Sequence, residues 1–180
     1  MHRVIVTPAE LGGALAELKR WLAISTTHDD PLLAEQLRAA LALFAQFSGT
    51  AALQETQEEV LPATRQWQNL SAAPFTDLLS VHALGAAGEQ RLLADDAVSL
   101  VVDADGRAQL LLRRAVEEER LLVRYRAGLA AGWDSLDPGI RQGVIRLAAH
   151  YYAERGAEAS VSPPASVVAL WRPHRRLSLR

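Results

Sequence analysis

The sequence predicts an α+β fold: mainly a helical bundle, three long helices plus a short C-terminal one, with a β-rich insertion between helices two and three. Two observations carry this expectation. Four times a small polar residue stands directly before proline, at Thr7-Pro8, Asp30-Pro31, Asp137-Pro138 and Ser162-Pro163, and each pair opens a stretch with apolar residues at helical spacing. Ser, Thr and Asp side chains accept hydrogen bonds from the free N–H groups of a first helical turn. Proline fits the first helical position because its missing N–H would be unpaired there anyway. Between the second and third pairs the chain changes character: short apolar segments are separated by proline and glycine, as strands and turns require. The predicted organisation is helices one and two over residues 1–52, the β-rich insertion over 53–127, helices three and four over 128–171 and an extended basic tail over 172–180, all within one domain.

Helix one opens on Thr7-Pro8-Ala9-Glu10, a capping box, and carries Leu11, Leu15, Leu18 and Leu22 on one face. Gly12-Gly13 weakens its interior and suits close packing. Helix two opens at Asp30-Pro31, with Asp30 as its cap and Leu33, Leu37, Leu41 and Phe44 as its stripe. It ends near Ser48-Gly49, where glycine can take the left-handed conformation. The middle reads as strands over Leu53–Val60, Arg65–Leu70 and Asp77–Leu84, a hairpin Val98–Arg113 turning at Asp103-Ala104-Asp105-Gly106, and a last strand Arg120–Tyr125. Gly128 to Gly132 reads as a flexible link. Helix three opens at Asp137-Pro138, buries Ile140, Val144, Leu147, Ala148 and Tyr151, and stops at Gly156. The predicted bundle core is therefore Leu15, Leu18, Leu37, Leu41, Phe44, Ile140, Val144, Leu147 and Tyr151. Helix four runs from Pro163 to about Trp171, Pro173 stops it, and His174 to Arg180 reads as extended.

Composition narrows the function classes. The chain has 180 residues, 49% of them hydrophobic, which is enough for a substantial core. The net charge of −2 argues against a dedicated nucleic-acid binder. Cysteine is absent, which removes disulfides, thiol catalysis and cysteine metal sites. Met1 to Thr7 is too short and lacks the apolar run of a signal peptide, and the longest apolar stretch, Ala39 to Ala45, is far below a membrane span. Lys19 is the only lysine, and the arginine bias suits a GC-rich bacterial genome. Glu158 is the last acidic residue; an acidic body precedes a basic end.

The candidate chemistry is sparse. His28-Asp29-Asp30 lacks a second histidine at ligand spacing, and Asp103-Ala104-Asp105-Gly106 lacks the later glutamate of a calcium loop. Glu117-Glu118-Glu119 reads as a solvated loop rather than a facing acid pair. No nucleophile elbow, Walker loop or dinucleotide fingerprint is present. No catalytic residue, cofactor or metal is expected. On helix three, His150-Tyr151-Tyr152 fits packing better than base stacking. The segment from Trp171 to Arg180 is different. Its Leu177 and Leu179 alternate with polar residues, as in a strand that lacks a sheet, and its arginines can meet carboxylates or phosphates. Trp171, Arg172, His174, Arg175, Arg176, Leu177, Leu179 and Arg180 are the predicted partner-binding residues.

Taken in order, several pieces resemble the tailed-phage head–tail connector family, also called adaptor or head-completion proteins. They are His28-Asp29-Asp30, Gly49 through Leu53-Gln54, Val123-Arg124-Tyr125-Arg126-Ala127-Gly128, Asp137-Pro138-Gly139-Ile140-Arg141-Gln142, His150-Tyr151-Tyr152 through Arg155, and Pro163-Pro164 through Trp171-Arg172-Pro173-His174-Arg175-Arg176-Leu177. The variant of prophages and gene transfer agents is the nearest in flavour. Thr50 stands where the family often has arginine, and Gln57 to Ala94 matches poorly. The resemblance implies a non-enzymatic protein at the head–tail interface of a virion or virus-like particle. It implies a dodecameric ring between the portal and the next neck, stopper or tail protein. DNA would pass through without sequence-specific binding, no membrane would be involved, and the tail would reach toward the portal. Two other classes compete: a small DNA-binding module using helix three and the basic tail, and a small hydrolase using the Asp and Glu clusters.

Overall fold

The computed structural model describes residues 11–154 and 163–175, and the backbone of residues 2–5. The chain divides into two compact units. One is built from β1 (His2–Ile5) and Gln54–Gly128, the other from the helices on either side of that segment.

The β unit holds two antiparallel sheets. The larger has the order β1-β2-β8-β4-β5, with β2 at Glu55–Pro62, β4 at Phe75–Leu84, β5 at Gln90–Leu92 and β8 at Arg120–Ala127. The smaller has the order β3-β7-β6, with β3 at Gln68–Asn69, β6 at Val98–Val102 and β7 at Ala108–Leu112. The two-residue period of a strand explains the core. Leu121, Val123, Tyr125 and Ala127 of β8 are all fully buried, as are Ala108 and Leu110 of β7. With Leu61, Val81 and Ala83 they form a hydrophobic cluster of their own. The hairpin turns where expected: Asp103 Oδ1 accepts the backbone N–H groups of Asp105 (2.9 Å) and Arg107 (2.8 Å), and Gly106 takes φ +72°.

The helical unit contains α1 (Gly12–Leu22), α2 (Asp30–Ser48), α3 (Pro138–Ala153) and α4 (Ala165–Trp171). Leu18, Leu37, Phe44, Ile140, Val144 and Leu147 are buried together, and Leu15, Leu41 and Tyr151 pack against them half-buried. Gly13 lies against Trp133, whose indole N–H donates to Glu17 at 2.8 Å. Residues 129–130 are tied back to the end of α2: Leu129 N–H bonds Ala51 O (3.0 Å) and Ala130 N–H bonds Ala52 O (3.2 Å). The segment read as a flexible link is thus a hydrogen-bonded one.

The expected mainly helical bundle with three long helices is overturned. Among the described residues there are four helices and two antiparallel sheets. Of the helices, α2 and α3 reach 19 and 16 residues, while α1 has 11. The strands are not an appendage, because they close around a separate apolar core, and β1, from before the first helix, pairs with β2 from His2↔Glu59 to Ile5↔Thr56. The polar–proline signals also divide. Asp137 caps α3, accepting from Gly139 N (2.8 Å) and Ile140 N (3.3 Å). Asp30 does not cap α2: it lies inside the helix and its carboxylate pairs with Lys19 at 2.6 Å. Thr7-Pro8, Ser162 and Gly156 lie outside the described residues.

Candidate functional site

The expected partner-binding segment begins in the core. Trp171, at the end of α4, is fully buried. Its ring meets Phe44 edge-on at 5.3 Å and Phe47 at 6.1 Å, and its indole N–H points at Ile140 O, 3.4 Å away. It lies directly over Gly143, where a side-chain carbon would fall 2.1 Å from the indole nitrogen. Glycine here costs helix propensity, and the ring takes the room. Trp171 is therefore an anchor, not an exposed contact.

The residues that follow stay on the helices. Arg172–His174 form a 3-10 turn rather than an extended strand, which corrects the expectation for His174. His174 Nε2 lies 3.3 Å from Asp137 Oδ1, the same oxygen that caps α3, and its ring stands 6.5 Å from Phe44. Arg175 is exposed, with its guanidinium 5.7 Å from the Phe47 ring. Arg172 is exposed as well. Arg176, Leu177, Leu179 and Arg180 lie outside the described residues. The structure thus brings Trp171 and His174 together as an anchor and leaves Arg172 and Arg175 at the surface.

The acidic side chains are engaged separately. Asp29 accepts from the Tyr152 hydroxyl at 2.7 Å, beside the Asp30–Lys19 pair, while His28 is exposed. Glu118 takes a two-pronged contact from Arg91, at 2.9 and 2.7 Å, and the hydrogen bonds, with the guanidinium charge behind them, hold the Glu118 carboxyl below the usual range. Glu117 and Glu119 are exposed. Glu59 is buried and accepts from the Ser71 hydroxyl (2.5 Å), the Ser71 N–H (3.0 Å) and the Tyr125 hydroxyl (3.0 Å). Burial, chiefly, raises the Tyr125 pKa. This network was not anticipated from the sequence; its only signal was a polar Gln57/Glu59 pair at inward positions of β2. Helix α3 packs on α1, α2 and α4, and between Ile140 and His150 only Arg146 is exposed.

The chain thus pairs a helical unit, closed by the buried Trp171, with a unit of two antiparallel sheets. The comparisons with solved structures place it more closely. The chain matches a chain of a structure described as "Neck of empty GTA particle computed with C6 symmetry" with a TM-score of 0.79, at 26% identity, over 100% of this chain and 97% of that one. It matches chains of "Neck of native GTA particle computed with C12 symmetry" and "Virion of native gene transfer agent (GTA) particle" with TM-scores of 0.77 and 0.76, at the same identity and coverage. No family model matches the chain, and no curated protein does. Over its whole length the chain is similar to neck components of gene transfer agent particles, in agreement with the connector resemblance read from its sequence.

Proposed function

We propose that this protein is a structural, non-enzymatic neck component of a gene-transfer-agent or phage-like particle. The observation that carries this reading is the full-length structural likeness to gene transfer agent necks. In this role the protein sits in the particle as a symmetric oligomer. We further propose that the oligomer is a dodecameric ring around the DNA path, with the portal on one side and the next neck or tail protein on the other. Net charge of −2 supports a channel that does not hold phosphate, because a phosphate-binding wall would retard DNA. The exposed arginines Arg172 and Arg175, continued in sequence by Arg176 and Arg180, form a partner-binding segment anchored by Trp171.

The test is co-purification with the portal protein of the same particle. The full chain is expected to form a stable complex with assembled portal and to show no salt-sensitive affinity for duplex DNA. Absence of any portal complex refutes the reading, and steep salt-dependent DNA binding favours the DNA-binding alternative. A truncation used here should end after Arg175, because one ending at Leu170 removes Trp171 from the core.

A further inference from the structure

Two leucines of the β unit are displayed rather than buried. On β4, Leu78 is the partner of Tyr125 on β8 and Ser80 the partner of the adjacent Arg124, so Leu79 is an extra residue, a bulge. A bulge re-aims the side chain it carries. Leu79 is 40% exposed, and Leu92, on the edge strand β5, is 65% exposed. Both line a groove of about 320 Å³, with the buried Val81 and Leu93 and the half-buried Leu78 and Val98. At the small end of the range for binding clefts, it takes one large side chain. Asp95 also lines the groove, Asp77 precedes Leu78, and both are exposed. The groove is therefore apolar within and acidic at its rim, and exposed apolar surface of this kind marks a contact.

The helical unit displays the opposite shape. Trp21, in the last turn of α1, is 53% exposed. The Arg146 guanidinium lies 5.9 Å from its ring, and Arg20 and Arg146 are both exposed. The acids on these helices are already engaged: Glu17 accepts from Trp133, Asp30 pairs with Lys19, and Glu154 meets His150. Tryptophan and arginine are the residues that carry most binding energy at interfaces. We propose that Trp21 of one copy seats in the Leu79–Leu92 groove of a second copy, with Arg20 and Arg146 toward Asp77 and Asp95. Shape and charge agree, since an apolar groove with an acidic rim receives an aromatic knob beside two cations. The two patches differ, so the contact is head-to-tail, the kind that repeats around a closed ring; a self-complementary patch stops at a dimer. The inference rests on the reading of the protein as a symmetric oligomer and supplies the contact between its copies.

The chain has no cysteine, so single ones can be placed freely. Ser166 lines the same surface hollow as Trp21, Ala94 lines the groove beside Leu92, and both are exposed. Chains carrying Ser166→Cys and chains carrying Ala94→Cys are mixed on assembled portal and treated with a short bismaleimide. A covalent heterodimer is expected. Trp21→Ala in the first chain, or Leu92→Ser in the second, should lower its yield at least about tenfold. Melting temperatures should hold, because both side chains are more than half exposed. Trp67→Ala, which removes the other exposed tryptophan, should leave the yield unchanged. Arg146→Glu in the first chain should lower the yield, and Asp95→Arg in the second should restore it. No heterodimer on a portal that has bound both chains, a yield that survives Trp21→Ala, a loss with Trp67→Ala, or cross-linking found only inside doubly substituted chains overturns the proposal. If the full chain binds no portal, the neck reading falls and the proposal with it; bound portal without the heterodimer removes the proposal alone.

Discussion

Replacing Trp171 by alanine is expected to cost the helical unit about 3–5 kcal/mol, the range for removing a buried large aromatic. The position earns the upper half of that range. The ring is fully buried, packs edge-on against Phe44, and closes over the backbone at Gly143, so little can collapse into the space. A second substitution turns the argument into a sign test. Gly143→Ala gains about 1 kcal/mol of helix propensity. With Trp171 present, however, its new carbon would fall 2.1 Å from the indole nitrogen, an overlap whose relief costs about 1–3 kcal/mol. Gly143→Ala should therefore be neutral or destabilising in the natural chain and stabilising, by up to about 1 kcal/mol, in the Trp171→Ala background. Urea denaturation followed by tryptophan fluorescence measures both, because Trp133 remains as a buried reporter in the helical unit. A loss below about 1 kcal/mol for Trp171→Ala, or a stabilising Gly143→Ala in both backgrounds, refutes the clamp.

Four further outcomes are expected. Asp137→Ala should destabilise the start of α3 by about 1 kcal/mol, and Asp137→Asn by much less, since asparagine caps almost as well; thermal melts distinguish them. Tyr125→Phe should cost about 1–3 kcal/mol by leaving Ala72 N–H and Glu59 short of a partner, read by urea titration of the β unit. The Tyr125 pKa is raised in the folded chain, so the unfolded state releases this proton first. Stability from this group is complete below about pH 10 and falls as pH rises above it; stability measured from pH 8 to 11 should show the decline, and Tyr125→Phe should flatten it. Gly106→Ala should destabilise the hairpin, because its φ is +72° and its new carbon would sit 2.8 Å from Pro74; loss of amide-exchange protection in β6 and β7 would report it, and unchanged protection would count against it.

Periodicity and turn chemistry made much of the chain legible. The inward sets of α2 and α3, the Asp103–Gly106 turn and the Asp137 cap are local features, written within a few residues of one another. The Asp30 cap misled because a cap sequence competes with any cation within reach, and Lys19, eleven residues away, took the carboxylate. β1 and β5 escaped notice because strands of four and three residues carry too little pattern to read, and their pairing is decided by β2 and β4. Trp171 was legible as an aromatic at the end of a short helix, but not as the lid over Gly143, which lies 28 positions earlier.

By itself the sequence determined the helix starts at Asp137, the hairpin, the acidic body with a basic end, and a resemblance to neck connectors. Those follow from neighbouring residues and from composition, which need no tertiary contact. Only the tertiary structure decided that the strands form a unit with its own core, that Trp171 and His174 fold back as an anchor, that Glu59 is buried in a satisfied network, and that β6 is left open at its outer edge. Each of these depends on which distant segments share a surface, and an alternating pattern states that a face is buried without stating against what.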